Sequence, residues 1–232
     1  MKIIAISDLH GQLPNITETA ECLFICGDIV PLYCQTNSCD SLRWLNKKFM
    51  PWLKSLNITG DIFIIGGNHD FIFERKPKEV KELLQSYNKV HYLCNETYEY
   101  LAEDCVTTWT IFGTPDCHIF GNWAFMYEPE TETEHFNRMP DNVDIVLSHD
   151  ACYGRNDVCL ETAPWIKPNN HIGNYELLQV VKKKKPLYHF TGHLHSTSHE
   201  LTDYDGTQTA CVSLLNEQYK MVYKPLIIEL SK

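Results

Sequence analysis

The stretch Asp61-Ile62-Phe63-Ile64-Ile65-Gly66-Gly67-Asn68-His69-Asp70 decides how the rest of the chain is read. Its first half is a short apolar, β-branched run, the pattern of a buried strand. Two glycines then allow a sharp turn, and an amide, an imidazole and a carboxylate follow in succession. By itself Asn-His-Asp after two glycines is an ordinary polar turn. It gains meaning because the same arrangement, an apolar run ending in polar groups, recurs along the chain.

Working outward, the run at 2–7 ends at Asp8-Leu9-His10-Gly11, and the run at 22–26 ends at Gly27-Asp28. Further on, 144–148 ends at His149, and 187–191 ends at Gly192-His193-Leu194-His195. Helices are expected over 40–54, with a kink or break at Pro51, over 77–85, 131–139 and 174–185. The short β-rich runs at 90–93, 98–101 and 107–112 read as a meander, 113–129 as a long aromatic loop and 150–172 as a second loop. Three β-runs near 198–202, 208–214 and 226–230 close the chain. No repeat or domain boundary is visible, so residues 1–232 read as a single domain. The expected fold class is α/β, with two mixed β-sheets packed as a sandwich and flanked by helices.

Composition bounds the function. The 232 residues are 44% hydrophobic, which is globular and long enough for a sizeable core. A formal net charge of −10 argues against non-specific nucleic-acid or membrane binding, both of which need a basic face. It leaves room for a small phosphorylated substrate, because a bound cation reverses the field inside one pocket. The ten cysteines contain no Cys-x-x-Cys pair, so zinc-finger and thioredoxin spacings are absent and free thiols in a reducing compartment are expected. An acid at position 8 comes too early for a secretory signal, and no apolar run reaches a spanning length. The expected location is cytoplasmic. Lys182-Lys183-Lys184-Lys185 reads as a solvated helix end.

Parallel-rich sheets bind ligands beyond the carboxyl ends of their strands. The five polar sets would converge there: Asp8 and His10, Asp28, Asn68 and His69, His149, His193 and His195. The two i, i+2 pairs, Asp8/His10 and His193/His195, would project to one side of an extended chain. Mixed oxygen and imidazole donors suit manganese, iron or zinc better than a calcium cage or a thiolate site, with nickel and cobalt also possible. There are more candidate ligands than one ion needs, and two ions sharing a carboxylate would use them. Any one of these histidines alone is an ordinary hydrogen-bonded residue; ligand type, order and strand context together point to a metal site. His91, His118, His135, His171, His189 and His199 lie outside the sets. His118 stays in view because it lies in the aromatic loop. Phe120, Trp123, Phe125 and Tyr127 of that loop either cover the site and stack on a base or aryl group, or pack the loop down as a satellite cluster.

In order, Asp8-x-His10, Gly27-Asp28, Gly67-Asn68-His69-Asp70, His149 and Gly192-His193-x-His195 resemble the five blocks of the calcineurin-like metallophosphoesterases. The resemblance implies that Asp8, His10 and His195 bind a first metal, that Asn68, His149 and His193 bind a second, and that Asp28 bridges the two. It implies that His69 is the catalytic acid, protonating the leaving oxygen while a metal-bridging hydroxide attacks phosphorus. Asp70 is left between orienting a neighbour, holding the turn and capping a helix. The tail would complete the family's second sheet.

Ser148-His149-Asp150-Ala151-Cys152-Tyr153-Gly154, Gly173-Asn174-Tyr175-Glu176-Leu177-Leu178 and Gly113-Thr114-Pro115 with Asn122-Trp123-Ala124-Phe125 are most similar to the small MPPED-type (metallophosphoesterase-domain) phosphodiesterases. Phosphodiester hydrolysis, on aryl or nucleotide substrates, is the implied activity; from their place in the aromatic loop, His118, Trp123 and Phe125 are the expected substrate contacts. The branch has Gly-Pro-Pro where this chain has Asp150-Ala151-Cys152. Protein Ser/Thr phosphatases carry an arginine soon after the bridging aspartate. Here Ile29-Val30-Pro31-Leu32 follows Asp28, which favours a diester over a more highly charged monoester. A phosphomonoesterase or nuclease of the same superfamily is the alternative, and a non-catalytic scaffold is a third reading. A nuclease needs a basic track, and a scaffold has usually lost ligands that are all present here.

Overall fold

The computed structural model describes residues 1–160 and 170–232. The first half runs β1 (Lys2–Ile6), β2 (Cys22–Cys26), α1 (Ser38–Trp44), a π-helical turn (Leu45–Phe49), α2 (Met50–Ser55), β3 (Ile62–Ile65), α3 (Phe71–Arg75), α4 (Pro77–Gln85) and β4 (Val90–Tyr92). Next come β5 (Glu96–Leu101), β6 (Thr108–Thr114), β7 (Cys117–His118), β8 (Met126–Tyr127), α5 (Pro129–Phe136) and β9 (Ile145–Ser148). The last third holds α6 (Tyr175–Lys184), β10 (Tyr188–Thr191), β11 (Thr202–Tyr204), β12 (Thr207–Cys211) and β13 (Leu226–Glu229).

Two large mixed sheets result. One has the order β13-β1-β2-β3-β4, the other β11-β12-β10-β9-β6-β5. Strands β1 to β4 are mutually parallel, as are β6, β9, β10 and β12, while β13, β11 and β5 run antiparallel at edges. Strands β2, β3 and β9 are short runs buried on both faces, and β1 is buried from Ile3 onward, as helix-covered sheets require.

Alternation along each strand divides the core into layers. Ala5, Phe24, Phe63 and Ile65 of the first sheet meet Trp109, Ile111, Leu147 and Phe190 of the second. On the outer side of the first sheet, Ile4, Leu23, Ile25 and Ile64 pack on Leu45, Phe49, Leu53, Val80 and Leu84 of the helical segments. Phe112 and Val146 face outward from the second sheet onto Phe136, Leu177 and Val181 of α5 and α6. The expected sandwich flanked by helices is therefore present.

Four local expectations change. The three runs after α4 are not one meander: β4 joins β3 in the first sheet, and β5 pairs with β6 in the second. The tail is also shared, because β11 and β12 extend the second sheet while β13 returns beside β1. Pro51 does not end its helix, which continues through it to Ser55. Proline cannot donate to the carbonyl four residues back, and a π turn takes up the mismatch, with the Met50 N–H bonding Leu45 O. The run near 198–202 gives way to a hairpin centred on Asp205-Gly206, both with positive φ, as a two-residue loop demands. Part of the expected 150–172 loop, residues 161–169, lies outside the described residues.

Candidate metal centre

The parallel strands of both sheets deliver their carboxyl ends to one place. The chain leaves each strand abruptly, with Asp8, His10, Asp28 and His193 all in the left-handed region. The i, i+2 pairs therefore do not lie on extended chain, as their spacing had suggested. Asp8 and His10 still meet in one group with His195, whereas His193 turns to a different group. Backbone bonds lock the first two loops side by side: Asp8 N–H donates to Gly27 O at 3.0 Å and His10 N–H to Asp28 O at 2.9 Å. Glycine is needed where these loops touch, because a side chain at Gly67 would collide with Asp28 and His149, and one at Gly192 with Ser7 and Asp8.

At the centre, Asp28 Oδ2 lies 3.5 Å from both His10 Nε2 and His149 Nε2. His149 Nε2 is also 2.9 Å from Asn68 Oδ1, while its Nδ1–H donates to Cys26 O at 2.8 Å. His195 repeats the pattern, donating Nδ1–H to Asn216 O at 3.0 Å and placing Nε2 3.3 Å from Asp8 Oδ1. His193 gives its backbone N–H to the Asp8 carboxylate at 3.0 Å. Donor atoms of Asp8, His10 and His195 lie within 4.8 Å of one another, as do those of Asp8, Asp28 and His149. All seven expected ligands are thus brought together.

Their chemistry fits cations. Both ring nitrogens of His10 are buried with no hydrogen-bond partner among the described residues, a costly state unless a further group is bound. In His149 and His195 the proton on Nδ1 is held by a backbone carbonyl, so Nε2 turns toward oxygen atoms. This is the outer-shell arrangement that orients metal-binding imidazoles. Only a proton or a cation between them makes that contact favourable.

The electrostatics agree. Burial would lower the His149 imidazole, but the adjacent Asp28 carboxylate carries it up to about 10. Burial is likewise overcome at His195, where the hydrogen bond to Asp8 lifts it to about 9. Against their burial, Asp8 and Asp28 are held well below the usual carboxylate range, Asp8 chiefly by His195 and Asp28 chiefly by His149. Burial dominates at His10 and His193, pushing each down to about 4 and leaving neutral rings with lone pairs to offer.

His69 sits at the edge of this cluster. Its backbone N–H donates to Asp28 Oδ1 at 2.8 Å, its Nδ1 meets Gln35 Oε1 at 2.6 Å, and its ring lies against Trp123, tilted by 35° with centroids 4.4 Å apart. Asp70 caps no helix with its side chain. Fully buried, its carboxylate accepts N–H bonds from Ile29, Val30 and Gly67 at 2.8–3.1 Å, tying the loop after β3 to the loop after β2. Burial, with Asp28 nearby, pushes it up to about 7.

A cleft of about 660 Å³ opens onto the cluster, walled by His69, His118, Phe120, Trp123 and Tyr219 among others. His118 is fixed there by Asp150, which accepts from its backbone N–H at 3.1 Å and its Nδ1–H at 2.7 Å. This is what the Asp150 departure does: it adds a carboxylate that orients a cleft histidine. Phe125 is a correction. It is 2% exposed, packs behind Gly66 in the first sheet's outer core and does not wall the cleft, so it cannot be a substrate contact. His91, His135, His171 and His189 bond Asp61, Asp116, Asp157 and Ser148, away from the centre.

Three participants escaped the sequence reading. Gln35 lies in a loop with no motif around it. Tyr219 sets its ring edge against His10 and His195 at 5.0 and 5.3 Å. Cys117 lies beside His149 and His193.

Residues 1–197 match the sequence profile of the family described as calcineurin-like phosphoesterase. Among curated proteins, the UPF0046 protein T07D4.2 of Caenorhabditis elegans is 27% identical over 99% of this chain and 60% of its own length. The UPF0046 protein C25E10.12 of the same organism is 25% identical over 99% of this chain and 81% of its own. The chain thus spans about 60% of the first of these relatives. Among solved structures, TT1561 of Thermus thermophilus aligns with a TM-score of 0.57 at 14% identity, covering 90% of this chain and 88% of that one. Phosphopantetheinyl hydrolase from Mycobacterium tuberculosis aligns at 0.51 and 12%, covering 94% and 90%. At such identities the likeness is one of fold.

Proposed function

The chain belongs to the calcineurin-like phosphoesterase family of metal-dependent phosphoester hydrolases, and we propose that it hydrolyses small phosphodiesters at a dinuclear centre, as the MPPED-type branch does. The observation that carries this reading is the completeness of the cluster. The seven donors cluster at one end of the cleft, which Asp28, Asn68, His193, His195 and His69 line, with buried His10 nitrogens left for a ligand.

In this reading Asp8, His10 and His195 hold one ion, Asn68, His149 and His193 the other, and Asp28 lies between. Bound there, two divalent cations would supply charge neutralisation of the phosphoryl oxygens and activation of water at neutral pH. Backbone carbonyls on Nδ1 of His149 and His195 keep their Nε2 atoms turned inward. His69 gives a proton to the leaving oxygen: Gln35 holds Nδ1–H, so Nε2 is the atom that gives and regains the proton.

The diester preference rests on charge. No arginine or lysine walls the cleft among the described residues, so a singly charged phosphate suits it better than a dianion. Trp123 and half-exposed Phe120 offer flat faces for an aryl or base group, and His118 stands at the same wall. One buried core between the two sheets supports treating residues 1–232 as one catalytic unit. Manganese is the proposed activator. A cytoplasmic setting is proposed from thiols that form no disulfide among the described residues.

The test compares rates on a bis(aryl) phosphate, an aryl monophosphate and cyclic nucleotides, with metal-depleted protein and with each candidate metal. Depleted protein is expected to be inactive and to recover with Mn²⁺, fastest on the diester. Activity surviving stringent chelation would overturn the mechanism, and faster monoester cleavage would overturn the substrate class.

A further inference from the structure

Cys117 is fully buried at the start of β7, and its place is fixed by the aromatic loop: its N–H donates to Phe125 O at 2.9 Å. Its Sγ and one ring nitrogen each of His149 and His193 lie within 4.8 Å of one another. The thiol's hydrogen bond is a long one, 3.7 Å to Pro115 O.

We propose that Cys117 is a metal ligand, joining His149 and His193 through its sulfur at the second position of the centre. The inference rests on the two-metal reading and goes beyond it, because the two positions then differ in kind. On binding, the Sγ–H bond breaks, the proton leaves to solvent and the sulfur lone pair bonds the cation; no electron is transferred. The first position, with oxygen and imidazole donors, suits manganese. The second, with a soft sulfur and two imidazoles, selects zinc, cobalt or iron over manganese.

The test is spectroscopic. Metal-depleted protein is reconstituted with zinc, the bound equivalents are counted, and the zinc-edge X-ray absorption is recorded. A sulfur scatterer at about 2.3 Å is expected beside nitrogen and oxygen neighbours at about 2.0–2.2 Å. The cobalt-loaded protein is expected to show a near-ultraviolet sulfur-to-cobalt charge-transfer band. Both signals should vanish in Cys117→Ser and persist in Cys159→Ser, whose thiol also lines the cleft. A zinc-loaded wild-type protein without a sulfur shell overturns the proposal, whether or not any variant folds. So does a sulfur shell that Cys117→Ser leaves unchanged. A chain that holds only one zinc sinks the two-metal reading, and the sulfur shell still decides the role of Cys117.

Discussion

Two adjacent residues in one motif have separate jobs, and substitution should separate them. The His69 side chain contacts Gln35 and Trp123 at the cleft, whereas the Asp70 carboxylate holds three buried amides. His69→Ala is expected to keep its bound metal and lose turnover by about 10²–10⁴-fold, the usual worth of a positioned acid. Metal counting beside kcat checks this; loss of metal would make His69 a ligand. Asp70→Ala should instead cost stability, on the order of 3 kcal/mol, because each orphaned buried donor is worth about 1–3 kcal/mol. Denaturant unfolding of the metal-depleted variant measures it, and an unchanged midpoint would remove Asp70 from that role. The residues that cluster at the centre were legible because each set follows an apolar strand. The role of Asp70 was not, since its partners Ile29 and Val30 are about forty residues away and nothing local points to them.

At the scale of elements, α5 and α6 are joined by a buried polar contact. Asn174 caps α6 by accepting the Leu177 N–H at 2.9 Å and donates its amide to Glu132 of α5 at 2.9 Å. Glu132 is 2% exposed, and burial, with Asp150 nearby, pushes its carboxyl up to about 7. The folded protein therefore holds this proton between about pH 4.5 and 7 while the unfolded chain has lost it. The contribution of Glu132 to stability therefore falls as pH rises through that window. Glu132→Gln keeps an acceptor for Asn174 without a charge, so it should be near neutral at about pH 5 and stabilising by roughly 1–3 kcal/mol at about pH 8. Unfolding midpoints at the two pH values decide it; equal effects at both would mean that Glu132 is not protonated in the fold. Of the elements themselves, α4 was legible to the residue, because proline at its start and a 3.6-residue pattern are local signals. The sheet memberships of β4, β5 and β13 were not, since strand pairing depends on distant partners. The hairpin at Asp205-Gly206 had a local signal, and it went unread.

Across the whole molecule, the centre is where the sandwich is joined. Asp8, His10, Asp28 and Asn68 come from loops of the first sheet, and His149, His193 and His195 from loops of the second. Without cations, the contacts between the halves include imidazole–carboxylate pairs across that seam, such as His149 with Asp28 and His195 with Asp8. A cation held by ligands from both sheets binds the folded state alone, and so raises its stability by mass action. At a thousandfold excess over Kd this is about 4 kcal/mol, or on the order of 10 °C in Tm for a chain of this size. Metal-depleted protein titrated with Mn²⁺ or Zn²⁺ should therefore show a saturable rise in Tm, with slower amide exchange at the carboxyl ends of strands in both sheets. Asp28→Asn and His149→Ala, one from each sheet, should each diminish that rise. A rise that survives intact when His149, His193 and His195 are all replaced by alanine would place the cation on the first sheet alone, and the centre would not be the seam between the two.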